Sequence, residues 1–183
     1  MALSKPTDFM YKLVGAYLER LYSNPLRTKA ITSCILASLA NILSQKLAGA
    51  KRINKDNVIS FALFGLLIGG PVPHYFYTYI NLLVKNPLGI FLIERLIYMP
   101  CFQALALYTL AVFEGKSHKE ACKQTEKLYL PTVISNLRYL TLMQFINIRY
   151  VPPMLRVLVV NFIGFAWAIY LASKRTNISK GKA

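Results

Sequence analysis

Apolar residues along this chain gather into runs of helical length, and polar residues recur inside those runs at three- and four-residue spacing. Over residues 7–22, Thr7 is an N-cap after Pro6, and Phe9, Met10, Leu13, Val14, Tyr17, Leu18 and Leu21 share a side opposite Asp8, Lys12 and Glu19. That predicts an amphipathic helix too charged to span, lying in the membrane interface or on the bundle's own surface. Ser23-Asn24-Pro25 breaks it. Runs over 28–47, 58–83, 87–113 and 155–173 are each long enough for the hydrocarbon layer, which takes about 20 helical residues. Ser117-His118-Lys119-Glu120 is a capping box. It opens a surface helix over 117–129 whose Lys119, Lys123 and Lys127 would meet anionic headgroups. Pro131 then opens a semi-polar segment, 131–148, read as a helix buried against the others or entering part of the bilayer. The pattern predicts an all-α integral membrane protein. It is a single membrane domain, 1–183, a compact bundle of four transmembrane helices with amphipathic and semi-buried helices beside them.

The polar residues inside these runs pose the functional question. Ser38, Asn41 and Gln45 share a face of the first span, which must look at protein or water. In the second, Gly65, Gly69 and Gly70 allow close helix approach, and Pro71 and Pro73 should kink it. His74 follows, with Tyr75, Phe76, Tyr77 and Tyr79 forming an interfacial belt or a cavity wall. The third carries Glu94-Arg95 several residues inside its boundary, then Pro100, and charges at that depth face the bundle interior or a wet cavity. Neighbouring helical residues point about 100° apart, so Glu94 is expected to seek Arg138 or Arg156 instead of Arg95. A structural ion pair and a pore-lining role both fit it. The semi-polar segment contributes Asn136, Arg138, Gln144 and Asn147. Pro152 turns the corner into the last span, where Arg156 is placed to snorkel to the interface, Asn161 lies within and Trp167 stands near the exit.

Composition agrees with the membrane reading. The chain has 183 residues, 55% hydrophobic and only 16% charged, against about a quarter charged in soluble domains, and its mean hydropathy is +0.41. The net charge of +15 would suggest nucleic acid in a soluble protein. Here the basic residues flank apolar runs, so membrane lipids are the expected partners and nucleic acid is not. Cys34, Cys101 and Cys122 share no ligand-like spacing and read as small hydrophobes, with no disulfide framework and no metal site. No phosphate loop, Ser/His/Asp set or carboxylate pair is present, so neither enzymatic activity nor a cofactor is expected. The amino end lacks a signal peptide's apolar core and the Arg-rich, acid-free transit pattern, so no cleaved address is expected. Arg27 and Lys29 with Lys174-Arg175 would flank one membrane face and Lys51-Arg52-Lys55 with Lys119-Lys123-Lys127 the other, a weak positive-inside bias. An even number of spans places both termini on one side, taken as cytosolic.

The residues so assembled resemble a family of small four-span proteins of the peroxisomal and inner mitochondrial membranes, its peroxisomal branch most closely. Nearly the whole chain is covered. The motifs are Pro25-Leu26-x-Thr28-Lys29-x-x-Thr32 with Gln45, and Gly70-Pro71-x-x-His74-x-x-Tyr77. Glu94 follows with Arg95 and Pro100. The strongest block is Gln144-Phe145-Ile146-Asn147-Ile148-x-Tyr150-Val151-Pro152, then Arg156-Val157-Leu158, Asn161, Trp167 and Tyr170-Leu171-Ala172-Ser173. Three features depart from the family pattern: Ala40-Asn41 where Gly precedes Asp or Asn, Glu94 where Asp is common, and Leu130, Leu137 and Leu140 where tryptophans stand. The resemblance implies a multi-pass peroxisomal membrane protein, with the mitochondrial inner membrane as the alternative. It further implies a relatively non-selective channel for small metabolites, a homo-oligomer, and delivery by the peroxisomal membrane-protein import machinery.

Two functions fit these residues. In a small-solute pore, Asn41, Gln45, His74, Glu94, Asn136, Arg138, Gln144 and Asn147 line the path, with Arg95 and Asn161 in the same polar network. In a non-conducting scaffold or partner-binding protein, the same groups glue helices together. A gated transporter ranks last, because no inverted repeat with paired broken helices is visible.

Overall fold

The computed structural model describes residues 6–166. Helix α1 (Pro6–Ser23) is followed by α2 (Pro25–Leu47), with Pro25 in the first turn, where its missing N–H costs nothing. Next come α3 (Lys55–Phe64), a π-helical turn at Gly65–Gly69 and α4 (Pro71–Leu83), which together make one apolar rod, Lys55–Leu83. A second rod, Pro87–Phe113, has the same construction: α5 (Pro87–Ile93), a π turn at Glu94–Tyr98 and α6 (Met99–Phe113). Helix α7 (His118–Tyr150) and the apolar α8 (Arg156–Ala166) complete the described chain. Three of these stretches, Pro25–Leu47, Lys55–Leu83 and Pro87–Phe113, are long and apolar enough to cross a membrane. No strand occurs among the described residues, and the protein is an all-α membrane protein. The last predicted span continues beyond Ala166, and its exit, with Trp167 and Lys174-Arg175, lies outside the described residues.

Local chemistry sets the ends. The Asn54 side chain accepts from Asn57 N at 3.2 Å and the Asn86 side chain from Leu88 N at 3.0 Å, each satisfying an amide that the first turn leaves free. The capping box at Ser117 and Glu120 is formed, with Ser117 N donating to Glu120 Oε2 at 2.9 Å.

Both π turns stand just ahead of a proline, Pro71 in one rod and Pro100 in the other. A proline ring inside an α-helix clashes with the carbonyl four residues back and removes a donor. A single wide turn absorbs both problems, because its bonds run from residue i+5 to i. Gly70 N accordingly donates to Gly65 O at 3.0 Å. Glycine also sets the packing of the first rod on α2. A Cβ at Gly65 would lie 2.5 Å from Ser33 O, and one at Gly70 would lie 2.5 Å from Ala30 Cα. The two backbones therefore touch at Gly65 and Gly70. Gly69 faces the Phe64 ring of its own rod instead.

One predicted boundary is absent. The surface helix over 117–129 and the semi-polar helix over 131–148 are a single 33-residue helix with Pro131 inside it. Pro131 and Lys127, four residues before it, both lie on the exposed side. On the other side Ala121, Val133, Gln144, Asn147 and Ile148 keep the helix seated. Helix α7 runs antiparallel to the second rod along its whole height. Tyr108 meets His118 at 2.9 Å near one end, and the rings of Phe91 and Phe145 stand 5.4 Å apart near the other. It therefore returns the chain to the end where Pro25, Leu83 and Pro87 lie, and α8 enters the bundle from there. The expectation that Lys174-Arg175 share a face with Arg27 and Lys29 needs the last span to start at the opposite end, whereas α8 starts at the Pro25 end.

The apolar core, Tyr77, Ile80, Ile90, Ile148 and Val157, joins α4, α5, α7 and α8. Outward, Ile31, Ile35, Leu66, Leu92, Leu96 and Leu142 are exposed, the surface a lipid-facing bundle presents.

Candidate functional site: two cavities meeting at Tyr77

The π turn at Glu94–Tyr98 carries two buried charges, Glu94 at 3% and Arg95 at 7% exposure. They pair with each other, Arg95 Nε to Glu94 Oε2 at 2.5 Å and a second guanidinium nitrogen to Glu94 Oε1 at 2.8 Å. This corrects the expectation that Glu94 looks to Arg138 or Arg156. Neighbours in a π turn step round the axis by less than in an α-helix, so two long side chains reach across the reduced angle and form a fork. Arg95 also donates to Asn136 Oδ1 on α7 at 3.0 Å. Arg138 is exposed on the outer face of α7 and takes no part.

Around this pair lies a cavity of about 170 Å³, walled by Glu94, Arg95, Asn136 and Gln144, by the aromatics Tyr77, Tyr98 and Phe102, and by Ile163 and Gly164 of α8. Gln144 donates to the Tyr77 hydroxyl. The Tyr98 hydroxyl, also in the wall, is buried with no hydrogen-bond partner among the described residues. Buried hydroxyls are almost always paired with protein or water, so this wall is suited to water or a polar solute.

A second cavity of about 330 Å³ lies toward the Pro25 end, lined by Pro25, Lys29, His74, Thr78, Asn81, Pro153 and Met154, and again by Tyr77. Tyr77 is 2% exposed and stands in the wall of both spaces. The aromatic run in α4 thus divides. Tyr77 is cavity wall, while Tyr75 and Tyr79 are exposed as an outer belt would be.

Lys29 Nζ lies 3.2 Å from His74 Nδ1. An ammonium has only protons to give, so Nδ1 accepts and the ring hydrogen sits on Nε2. Beside this pair, Arg156 is 6% exposed and does not snorkel. It donates to Val151 O at 3.1 Å, to Ile148 O at 2.9 Å and to Asn81 Oδ1 at 2.9 Å. The two backbone carbonyls are open ones at the end of α7, which no backbone N–H reaches. A guanidinium that caps them has no reason to turn to the interface.

The remaining predicted polar residues sit elsewhere. Asn147 is buried and donates to Arg156 O at 3.4 Å, with its own Oδ1 unpaired. Asn41 and Gln45 lie at the opposite end of the bundle, where Gln45 bonds Asn41 at 2.7 Å and grips the backbone of Asn54. Asn161 donates to Ser33 Oγ at 2.5 Å and ties α8 to α2. Gly70, Pro71 and Pro100 shape the rods, and Pro152 turns the chain between α7 and α8. No cluster of three metal-ligating side chains occurs among the described residues.

Lys29, Asn81 and Tyr98 were not singled out from sequence as lining. Lys29 looked like a flank because the span was started at residue 28, whereas Pro25 begins α2 one turn earlier and draws the lysine inside. His74 and Tyr77 stand three apart, and that spacing was the available sign that they share a face.

Comparison with known proteins bears on what such a pair of cavities serves. Residues 111–172 match the Mpv17 / PMP22 family. Over 187 residues the chain is 35% identical to PXMP2/4 family protein 3 of Dictyostelium discoideum, covering 97% of this chain and 100% of that protein. It is 30% identical over 176 residues to Peroxisomal membrane protein 2 of Bos taurus, covering 88% and 89% of the two chains. With Peroxisomal membrane protein PMP22 of Arabidopsis thaliana it shares 28% over 170 residues, covering 89% and 90%. No solved structure matches the chain.

Proposed function

The chain belongs to the Mpv17/PMP22 family, and we propose that it forms a relatively non-selective pore for small water-soluble metabolites. It is a multi-pass helical protein of the peroxisomal membrane. The observation that carries the pore reading is the pair of cavities that share Tyr77, each with charged and polar side chains set in a largely apolar wall. One faces the Pro25 end of the bundle. The other surrounds a charge pair seven residues in from Pro87, roughly 10 Å along the helix. In this reading Tyr77, held by Gln144, is the constriction between them, and the path lies within the protomer. The unpaired Tyr98 hydroxyl supports a wet inner cavity.

Purified protein in planar bilayers is expected to give discrete conductance, and Tyr77→Ala to raise the unit conductance by widening the partition. Vesicles that stay tight to small solutes at every protein density would sink this reading.

A second reading, a non-conducting scaffold, is favoured by the groups that join helices without facing either cavity: Asn161 on Ser33, and Gln45 on the Asn54 loop. The double substitution Gln144→Leu with Asn147→Leu separates the two. Altered conductance in folded protein supports the pore, and a loss of stability alone supports the scaffold.

A further inference from the structure

The cavity at the Pro25 end has a charge imbalance that its own walls leave uncorrected. Lys29 is 5% exposed and Arg156 is 6% exposed. Every hydrogen-bond partner found for either is neutral: an imidazole, an amide oxygen and two backbone carbonyls. Ion pairs among the described residues are confined to Arg95 with Glu94 and Lys116 with Glu114. The lining itself contains no acidic residue. A buried cation is normally paired with a carboxylate, because hydrogen bonds to neutral groups do not repay the loss of water around a full charge.

Neither cation is there to anchor a helix end at the lipid surface, since both are turned inward. Lys29 directs its ammonium to His74 in the wall of an open cavity, and Arg156 is fixed behind Asn81 with its guanidinium 5.9 Å from the Tyr77 ring. Thr78 and Asn81 stand in the same wall as neutral hydrogen-bonding groups. The close backbone contact at Gly70, where an added Cβ would come within 2.9 Å of Lys29 O, fixes the lysine's place relative to His74.

We propose that this cavity is a binding site for a small oxyanion, a carboxylate or phosphate group held by Lys29 and His74 within the positive field of Arg156. Lys29 supplies the direct charge-assisted contact. His74 presents Nε2–H as a second donor, and Asn81 orients the arginine. The assignment deepens the pore reading by naming the solute class its mouth would concentrate, and rests on that reading only for its physiological sense. Binding itself is an equilibrium property that needs no conduction.

The anionic group has two natural sources, a soluble metabolite and a phospholipid headgroup. The test uses the full chain in nanodiscs of zwitterionic phosphatidylcholine, with radiolabelled inorganic phosphate and succinate as probes in equilibrium dialysis. Saturable binding of about one anion per chain is expected. Lys29→Met should weaken it at least tenfold, and Lys29→Arg should retain most of it. Lys85→Met, an exposed lysine at the same end, should leave it unchanged. In ligand-free protein Lys29→Met should melt at the same temperature or higher, because removing an unbalanced buried charge relieves the fold. Repeating the dialysis in discs doped with anionic phospholipid separates the sources. Unchanged affinity marks a soluble anion, and competitive loss marks a headgroup in the same site. Binding that never saturates, undiminished binding in Lys29→Met, or a lower melting temperature for that variant would each overturn the proposal. Saturable binding in a protein that gives no conductance would leave this site standing and remove the pore.

Discussion

The two cavities that share Tyr77 treat buried charge in opposite ways. In the inner one, Glu94 and Arg95 form a closed fork, and Asn136 takes up a further guanidinium hydrogen. At the outer one, Lys29 in the wall and Arg156 behind Asn81 are as deeply buried but meet neutral groups alone. An internal pair is self-sufficient and can serve architecture. Unbalanced cations are carried at a cost to the fold, and such costs concentrate where a protein handles a ligand. Burial and residue type alone would have ranked these places alike; the identity of the partners separates them.

Substitutions can strain that contrast, beginning where the effect should be greatest. Arg95→Leu strands Glu94 in the bundle, and breaking one side of a buried pair costs about 3–5 kcal/mol. Thermal unfolding in detergent should show a large drop. Glu94→Gln with Arg95→Gln should lose much less than the two single changes summed. If the double variant is as unstable as the sum, the inner pair is not a self-contained unit.

Gly70→Ala comes next. Its methyl would meet the Ala30 backbone, and overpacking of this kind costs about 1–3 kcal/mol. It should also separate Lys29 from His74, weakening phosphate binding in the outer cavity while Glu94 and Arg95 keep their pairing. Equal damage to both cavities would show that they do not respond independently.

Tyr77→Phe removes the hydroxyl that Gln144 reaches and keeps the ring. A loss of about 1 kcal/mol is expected, with unit conductance rising less than in Tyr77→Ala.

The smallest effect belongs where a carboxylate meets water and neither cavity. The Ser117 hydroxyl and amide hold the Glu120 carboxyl below its ordinary value of 4.5. Its folded-state pKa being depressed, the cap's contribution is present above the unfolded value and is lost as pH falls from about 4.5 through the lower folded value. Amide exchange at the start of α7 should quicken over that range, and Glu120→Gln should flatten the dependence without changing anion binding at neutral pH.

Much of the architecture was legible in the pattern of apolar runs, because a bilayer imposes a length that a sequence must declare. The rods at Lys55–Leu83 and Pro87–Phe113 could be read almost to the residue. Pro131 misled because proline normally marks an end, whereas on the exposed side of a helix seated by Val133 and Gln144 it is tolerated. For the sites, the reading was uneven. Glu94, Arg95, Asn136 and Gln144 do line one cavity, and His74 lines the other. The partner of Glu94 was not legible, since the 100° rule presumes an α-helix and the pair sits in a π turn. Lys29 and Arg156 were hidden by position, because a basic residue near a span's end resembles an interfacial anchor until a helix start and a set of open carbonyls show where it points.

The π turn at Gly65–Gly69 bears on how this chain can change over evolutionary time. It holds one residue more than an α-helical path between Phe64 and Pro71 would need, and the wide turn absorbs that residue without turning α4 relative to α3. Deleting one position there would leave an ordinary turn ahead of Pro71, whose ring would then meet the carbonyl four residues back and kink the rod. His74, Tyr77 and Asn81 would shift together, though no side chain had been altered. The turn should therefore accept substitutions at Leu66 and Leu67, which face outward, while resisting the loss of a residue. Across relatives, constant spacing between Gly65 and Tyr77 would be the mark of that constraint, even where the intervening residues drift.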